Sequence, residues 1–568
     1  MRPGYDFRRG FGEAAIDGLN LFVNAAVPVS TKTEIYAFGG GNFRDTDAYA
    51  FTRNNPTARN VESIYPDGFT PRITSKIIDN SISAGIRTTT DNGWKIDLSN
   101  TFGRNNFHYY IKGTLNASLQ GNSPTSFDAG GHSLNQNTIN LDFSKNYKDV
   151  LEGFNIAFGA EHRMEKFNIF AGEEASYATY DVNGAVVTNP LTQTIPTDPI
   201  TGDARPGGSQ GFPGYSPANE VSENRASLAL YTDAELDITK KFLLSAAVRF
   251  ENYNDFGSTL NGKLATRLKV SDNFNLRGSV STGFRAPSLA QVYYNLSFTN
   301  FSSSGASDIL LSPNNSPVTQ AFGISKLNEE KAVNASFGFT ANFGKFTATV
   351  DAYSIKVKDR IVLTGYFDAS SFGLGVDSAQ FFVNGADTST SGLDVVFAWK
   401  EKFGENAVSA TLVGNINNMK VDKVNNGSLD EQTFFGEREK AFLLASAPDS
   451  KFSLNLNYDR KWFNAGLAFT RFSKVELLDY QMYEDVADYG SFANQIAAAT
   501  DTYNAKIVTD LTLGFKLNKT TKLSIGSNNL FNIYPDQQDD WVEAGGYWDA
   551  VQMGFGGAFY YARLGFNF

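Results

Sequence analysis

The sequence has no cysteine, only three histidines and no apolar run of the roughly 18 residues that a transmembrane helix needs. The absence of cysteine excludes disulfides, zinc–thiolate sites and cysteine catalysis. The three histidines are too scattered to suggest a metal cage. The opening residues, MRPGYDFRRGFGE, lack the apolar core of a signal peptide. An exported protein needs such a leader, so for an exported protein we expect that it was removed or that the sequence begins partway through a longer protein.

Positive charge is also scarce. The chain has 49 basic and 60 acidic residues, a net charge of -11, which argues against a nucleic-acid partner. Proline and methionine are few, whereas 48 phenylalanines, 25 tyrosines and 51 glycines are present. Aromatic residues make up 14% of the chain, yet the mean hydropathy is -0.28. Membrane β-barrels combine many rings with a polar mean, because half of each strand faces lipid and half faces a wet lumen.

The last thirteen residues, GGAFYYARLGFNF, predict a strand with one apolar and one mixed face. The apolar face carries Ala558, Tyr560, Ala562, Leu564, Phe566 and Phe568, and the mixed face carries Phe559, Tyr561, Arg563, Gly565 and Asn567. A terminal strand of this kind is typical of an outer-membrane barrel.

The rest of the chain shows the same alternation, and we count about 19 strands of roughly ten residues. Short turns, such as 239–241 and 518–521, alternate for most of the chain with long links, such as 170–222 and 285–327. A soluble sandwich would have mostly short loops. The fold class is therefore predicted as all-β, a transmembrane antiparallel up-and-down barrel with short periplasmic turns and long outer loops.

The direction of the first predicted strand, Gly18 to Pro28, bears on completeness. This strand runs into a short turn, so its start lies on the long-loop side, whereas a complete barrel has both termini on the periplasmic side. Bacterial single-chain barrels have an even number of strands, and unpaired strand edges are untenable in hydrocarbon. We therefore expect an odd number of strands upstream of this sequence.

Several motifs resemble the TonB-dependent receptor family along essentially the whole chain. They are NDFG at 254–257, GFRAP at 283–287, LNEEK at 327–331, KDRI at 358–361, NNLFNIY at 528–534 and the terminal strand from Tyr561 to Phe568. The positions that carry the family signature are Asp255, Phe256, Gly257, Gly283, Phe284, Arg285, Ala286, Pro287 and Phe568.

The resemblance implies a barrel of about 22 strands that is filled by an N-terminal plug domain. Such receptors lie in the bacterial outer membrane, bind a scarce large nutrient and import it with energy from TonB. This chain has no plug-like region and no TonB-coupling motif, so residues 1–568 read as a barrel domain that is incomplete at its N-terminal side. The partners implied are outer-membrane lipid, a plug domain in upstream residues or on a separate chain, and TonB, with a surface lipoprotein as a further candidate.

The cargo implied is a siderophore–iron complex, cobalamin or an oligosaccharide. The alternatives are a passive diffusion porin, a non-transporting barrel remnant, or an enzyme or adhesin anchored by the barrel. Porins have about 16 to 18 strands, fewer than the number counted here. No nucleophile–base–orienter set and no phosphate-cradling loop is present, so we expect no enzyme, no cofactor and no metal site.

Ligand contacts are predicted among aromatic residues of the late loops, because rings offer large stacking surfaces. The candidates are Phe381, Phe382, Trp541, Tyr547 and Trp548, and the alternative for such rings is a membrane-interface girdle or packing within the loops. Arg285 is either a lumen charge near the ligand path or a rim residue that positions a loop. The acidic clusters at 536–540 and 437–439 lack EF-hand spacing and are interpreted as solvated loop charge.

Charged residues on the strands form the remaining set, and alternation predicts that they face the lumen. They are Lys95, Asp97, Asp142, Asp233, Glu235, Arg249, Glu251, Lys263, Arg267, Arg277 and Asp351.

Overall fold

The computed structural model describes residues 13–53, 55–189, 192–302, 305–372, 377–537 and 552–567, apart from the side chains of 297–308 and 372. The strands in this part of the chain are β1 Ala15–Pro28, β2 Thr33–Tyr49, β3 Arg72–Thr89, β4 Lys95–Lys112, β5 Ser126–Tyr147, β6 Phe154–Phe170, β7 Val221–Thr239, β8 Phe242–Tyr253, β9 Gly257–Ser271, β10 Phe274–Arg285, β11 Leu296–Ser302, β12 Gly305–Leu311, β13 Glu330–Phe343, β14 Phe346–Leu363, β15 Phe367–Asp368, β16 Ser378–Gln380, β17 Phe382–Phe403, β18 Asn406–Val424, β19 Ser450–Arg460, β20 Phe463–Phe472, β21 Val475–Leu478, β22 Thr500–Tyr503, β23 Lys506–Lys516, β24 Thr521–Asn528 and β25 Phe559–Phe566.

Helices are short and lie in the long loops. The described α-helices are α1 Leu289–Tyr293, α2 Pro317–Ala321, α3 Glu431–Phe435, α4 Glu437–Ala445, α5 Val486–Tyr489 and α6 Phe492–Ala499, with 3-10 turns at Ala117–Asn122, Glu174–Ser176, Pro217–Asn219, Ser370–Phe372 and Tyr480–Tyr483. None of the helices that could be inspected is long and apolar enough to cross a membrane.

Nineteen of the described strands form one antiparallel sheet in which chain neighbours are also sheet neighbours. The sheet runs from β1 to β10, then through β13, β14, β17 to β20 and β23 to β25. Within the described residues β1 pairs only with β2, and β25 only with β24. The prediction of an all-β, up-and-down wall of about 19 strands is confirmed.

The register explains the alternating sequence. Asp97 lies opposite Asp142, and Tyr231 lies opposite Arg249. Because directly opposed residues share a face, following these pairs from strand to strand places all of the predicted lumen charges on one face, called here the inner face. The other face exposes large apolar side chains such as Leu230. The strands therefore alternate because their two faces meet different surroundings.

The predicted short turns are found, and two further ones were missed. Residues 148–153 join β5 to β6, and residues 404–405 join β17 to β18. The first contains Val150 and Leu151, so it carries little of the usual turn signal, although Leu151 adopts a φ of 52°. At the long-loop end β8 and β9 are joined by only 254–256. Strands also extend beyond the roughly ten residues predicted for each, since β5 has 22 residues, from Ser126 to Tyr147.

Four inner-face tyrosines lie across glycines of the next strand. Each tyrosine is directly opposite its glycine, and its hydroxyl reaches a polar residue one strand further on. The sets are Tyr36–Gly85–Asp97, Tyr231–Gly159–Asp142, Tyr353–Gly392–Asn415 and Tyr561–Gly526–Thr512. The hydrogen bonds measure 2.8, 2.7, 3.0 and 2.7 Å. Glycine is required because a larger residue would occupy the space of the ring.

The long loops have small apolar cores of their own. One core joins loops 50–71 and 113–125 through Val61, Phe69 and Leu115. A second joins loops 312–329, 364–381 and 425–449, and its buried members include Phe381 and Phe434. The loops are thus packed bodies at one end of the wall.

Candidate functional site

The motifs of the sequence meet at the long-loop end of the inner face. Arg285, the last residue of β10, forms a two-pronged ion pair with Glu330 at the start of β13, with N–O distances of 2.8 and 2.5 Å. Glu330 is 8% exposed and also accepts the backbone N–H of Ile361 on β14 at 2.7 Å. GFRAP, LNEEK and KDRI are therefore parts of one network that joins three strands. This is the rim-positioning geometry considered for Arg285.

A second network holds the NDFG turn. The guanidinium of Arg225 on β7, only 3% exposed, donates to Asp255 at 2.7 Å and to the carbonyl oxygen of Pro287 at 2.6 Å. It also lies over the ring of Phe256, 5.6 Å from its centre. Gly257 has a φ of 110°, which favours glycine. Asp255, Phe256, Gly257 and Pro287 thus anchor the loop ends.

The remaining signature positions lie beside these networks. Phe284 contacts Tyr253 edge to face, with ring centres 6.0 Å apart. Gly283 and Ala286 flank Phe284 and Arg285 in the chain. Phe568 lies outside the described residues.

Several charges on the inner face are paired with one another, either within a strand or across the sheet. Arg249 donates to Glu251 at 2.5 Å and to Glu161 at 3.3 Å. Arg277 donates to Asp351 at 2.7 Å. The pairs that cross strands form ladders between strands two apart in the sheet, β6 with β8 and β10 with β14, and leave a polar, hydrogen-bonding surface toward the bore.

The early loops contain a buried ion pair. Arg205 and Asp198 are 7% and 5% exposed and lie 2.9 Å apart, and Arg205 also donates to the carbonyl oxygen of Asn60 in another loop. Burial acts to raise the pKa of Asp198, but backbone N–H groups of Thr201 and Ile200 and the charge of Arg205 hold it below its usual value. The carboxylate therefore stays ionised and ties the two loops together.

Of the five predicted aromatic ligand contacts, the structure describes Phe381 and Phe382. Phe381 is fully buried and packs against Phe322 and Phe367, with ring centres 5.3 and 5.6 Å away. Phe382 begins β17 opposite Leu363 and is half-buried. Trp541, Tyr547 and Trp548 lie outside the described residues. Of the rings that the structure describes, Phe381 thus has a packing role.

A cationic and aromatic cluster that the sequence did not single out lies in the late loops. Arg438 of α4 stacks on Phe442 and Tyr480, each 4.6 Å from the guanidinium carbon, and donates to the Tyr483 hydroxyl at 3.2 Å. Tyr366 completes the cluster, 4.9 Å from the ring of Tyr483. Three loops contribute these residues, which we call the Arg438 cluster.

The Arg438 cluster is partly exposed and not fully hydrogen-bonded. The Nε of Arg438 is buried and has no hydrogen-bond partner among the described residues. Tyr483 is 38% exposed and donates to Glu439 at 2.7 Å. Arg438 stands between Glu437 and Glu439, a pattern that normally indicates a solvated helix face. Only the fold brings it to the tyrosines.

In the two acidic clusters, the described residues Asp536 and Glu437 are engaged with protein groups. Asp536 pairs with Lys506 and accepts the N–H of Asn504 at 2.7 Å, and Glu437 pairs with Lys440 at 2.9 Å. No group of three or more histidine, aspartate or glutamate side chains suited to a metal ion occurs in the parts of the chain that the structure covers.

Comparisons with known proteins agree on the fold. The family model for the TonB dependent receptor-like beta-barrel matches residues 22–530. No curated protein matches the sequence. The siderophore receptor PirA from Acinetobacter baumannii has a TM-score of 0.63 at 16% identity, covering 98% of this chain and 72% of the receptor.

Two further solved structures are similar. The pyoverdine outer membrane receptor FpvA from Pseudomonas aeruginosa, bound to pyoverdine, has a TM-score of 0.57 at 11% identity, covering 97% of this chain and 74% of FpvA. The RagAB peptide transporter has a TM-score of 0.60 at 11% identity, covering 97% of this chain and 72% of the transporter chain. At these identities the likeness concerns the fold.

Proposed function

The chain belongs to the TonB-dependent receptor-like β-barrel family, and we propose that it forms the outer-membrane wall of a receptor that binds and imports a large, scarce nutrient with energy from TonB. The family match over 22–530 carries this proposal. A plug domain fills the bore in this proposal, outer-membrane lipid surrounds the wall, and a surface lipoprotein is a further candidate partner. The protein transports and has no enzymatic activity.

The wall geometry supports import rather than free diffusion. Nineteen described strands already exceed the roughly 16 to 18 of porins, and long packed loops stand over one end. The inner-face ladders leave polar groups that a plug could meet, and strand ends held by Arg285 and Arg225 give the loops fixed positions.

The cargo is one of three classes, a siderophore–iron complex, cobalamin or an oligosaccharide, and the Arg438 cluster favours the first. A guanidinium held among tyrosines provides positive charge, stacking surface and phenol groups in one place. Those groups suit an anionic, ring-bearing chelate better than a neutral sugar. Among the similar solved structures, PirA is named a siderophore receptor and FpvA a pyoverdine outer membrane receptor.

Transport can be tested in cells that express the full-length protein. We expect accumulation of one labelled ligand from a panel of ferric siderophores, cobalamin and oligosaccharides, and its loss when TonB is deleted. Binding to intact cells should persist without TonB, because energy is needed for import only. Accumulation that is unchanged without TonB, or high ion conductance of the intact protein in bilayers, would favour a porin.

The ligand contact can be tested separately with Arg438→Gln. Loss of the charge should weaken binding of an anionic chelate by about tenfold, the equivalent of one charge-assisted hydrogen bond. Arg438→Lys keeps the charge and should lose less. Equilibrium binding to purified protein is the measurement, and limited proteolysis of the late loops checks that they remain folded. Equal affinity of the native protein, Arg438→Gln and Arg438→Lys would show that Arg438 does not contact the ligand. The import proposal would be unaffected by that result.

A further inference from the structure

Four lysines lie together on the outer face of the wall, near its long-loop end. Lys331 is on β13, Lys356 and Lys358 are on β14, and Lys420 is on β18. Lys331 is directly opposite Lys358, and Ser389 of β17 is opposite both Lys356 and Lys420. All four are exposed. We call this group the lysine patch.

The lysine patch lies above a continuous apolar surface. On β14 the outward residues Phe346, Ala348, Val350 and Ala352 precede it, beginning at the short turn. Phe346 and Lys356 are ten residues apart, about 34 Å along a strand. With the usual strand tilt of about 35–45° this is about 24–28 Å of height, which matches the roughly 25 Å apolar band of a membrane barrel. The patch therefore stands where hydrocarbon gives way to lipid headgroups.

The positive charge of the patch is only partly compensated by protein. Lys331 pairs with Glu329 at 3.2 Å, and Asp422 accepts a hydrogen bond from Ser389 at 2.9 Å. Within the described residues Lys356, Lys358 and Lys420 form no salt bridge. Like charges directly opposite each other on a sheet, such as Lys331 and Lys358, are destabilising. An anion from outside the chain would remove that repulsion.

We propose that the lysine patch binds the phosphate groups of lipids in the outer leaflet of the membrane. Lysine is a compact point charge that binds phosphate well. The outward residues below it, including Val333 and Phe337 at 56% and 62% exposed, would lie along the lipid chains. This apolar column favours a lipid over free phosphate. The proposal rests on the outer-membrane placement proposed above, not on the cargo or on TonB.

Native mass spectrometry of the purified full-length protein tests the patch. The probes are phosphatidylglycerol and phosphatidylcholine offered together in detergent micelles. We expect the native protein to retain phosphatidylglycerol preferentially, and the K331Q/K356Q/K358Q/K420Q variant to lose that preference by at least about tenfold, since each lysine near an anionic lipid is worth roughly fivefold. Replacing the same four lysines by arginine should preserve it.

A matched control removes the same charge at the opposite end of the wall. The exposed short-turn residues Lys240, Lys241, Lys461 and Lys519 are changed to glutamine, and lipid preference should stay native. Heat-dependent gel mobility verifies that each variant is folded. Equal preference in the patch and control variants would overturn the proposal, and so would displacement of the lipid by millimolar inorganic phosphate. Neither outcome depends on uptake, so failure here is distinct from failure of the import proposal.

Discussion

Valine in place of Gly159 should sharply reduce the fraction of the protein that folds. A Cβ at this position would lie 2.7 Å from the carbonyl oxygen of Leu141, from Asp142 Oδ1 and from the ring of Tyr231. One of these neighbours is backbone of the adjacent strand, so the strand itself must move. Overpacking of this kind costs about 1–3 kcal/mol and more when backbone shifts. The Tyr231–Asp142 hydrogen bond would be lost at the same time.

Gly103 provides the matched control for Gly159. It is also a glycine of a wall strand, but nothing lies within 4 Å of the Cβ that a substitution would add. Gly103→Val should therefore fold normally, helped by the preference of valine for strands. Heat-dependent gel mobility and urea unfolding in micelles measure both variants. If Gly159→Val unfolds at the same urea concentration as the native protein, the ring of Tyr231 does not require a glycine at position 159. A Gly159→Val/Tyr231→Ala double variant should recover part of the loss, because only the side-chain clash is relieved.

The wall could be predicted from the sequence because two surroundings act on every strand. Residues 242–251 alternate since one face meets lipid and the other meets the bore. The same rule identified the inward charges from Lys95 to Asp351. It did not locate the β5–β6 turn, where Val150 and Leu151 read as strand residues. The alternation rule also did not predict where strands end outside the membrane, because the two faces of a strand meet similar surroundings there.

The site was less predictable because its contacts are distant in the chain. Arg285 and Glu330 are 45 residues apart, as are Arg438 and Tyr483. No local pattern identifies such partners. For Phe381 the sequence left ligand contact and packing within the loops as alternatives, and the long loops are large enough to bury this phenylalanine in a core of their own. The resemblance to a family marked Asp255 and Arg285 as special, but only the fold gave the reason.

Asp255→Ala should have the largest effect on stability of the substitutions at the rim, because it removes an ion-pair partner of Arg225. Arg225 would keep its charge at 3% exposure, and among the described residues only Glu165, 3.9 Å away, would remain as an ion-pair partner. Removing one partner of a buried pair costs about 3–5 kcal/mol, because the other charge stays buried and uncompensated. The loops after β8 and β10 should become sensitive to protease, since Arg225 also holds the carbonyl of Pro287. Urea unfolding and limited proteolysis measure both consequences.

Removing both charges distinguishes the net stabilisation that the ion pair provides from the cost of leaving one buried charge without its partner. Arg225→Met with Asp255→Leu leaves no buried charge and fills similar volume, so it should be more stable than Asp255→Ala alone. Asp91→Ala is the control, because its partner Lys32 and Asp91 itself are exposed, and such pairs contribute little. If Asp255→Ala behaved like Asp91→Ala, the buried guanidinium would have to be satisfied elsewhere. In the double variant the loop ends lose their anchor, but the protein loses less stability than in Asp255→Ala. A ligand affinity that falls in the double variant, while the wall stays folded, would assign Arg225 and Asp255 to loop positioning.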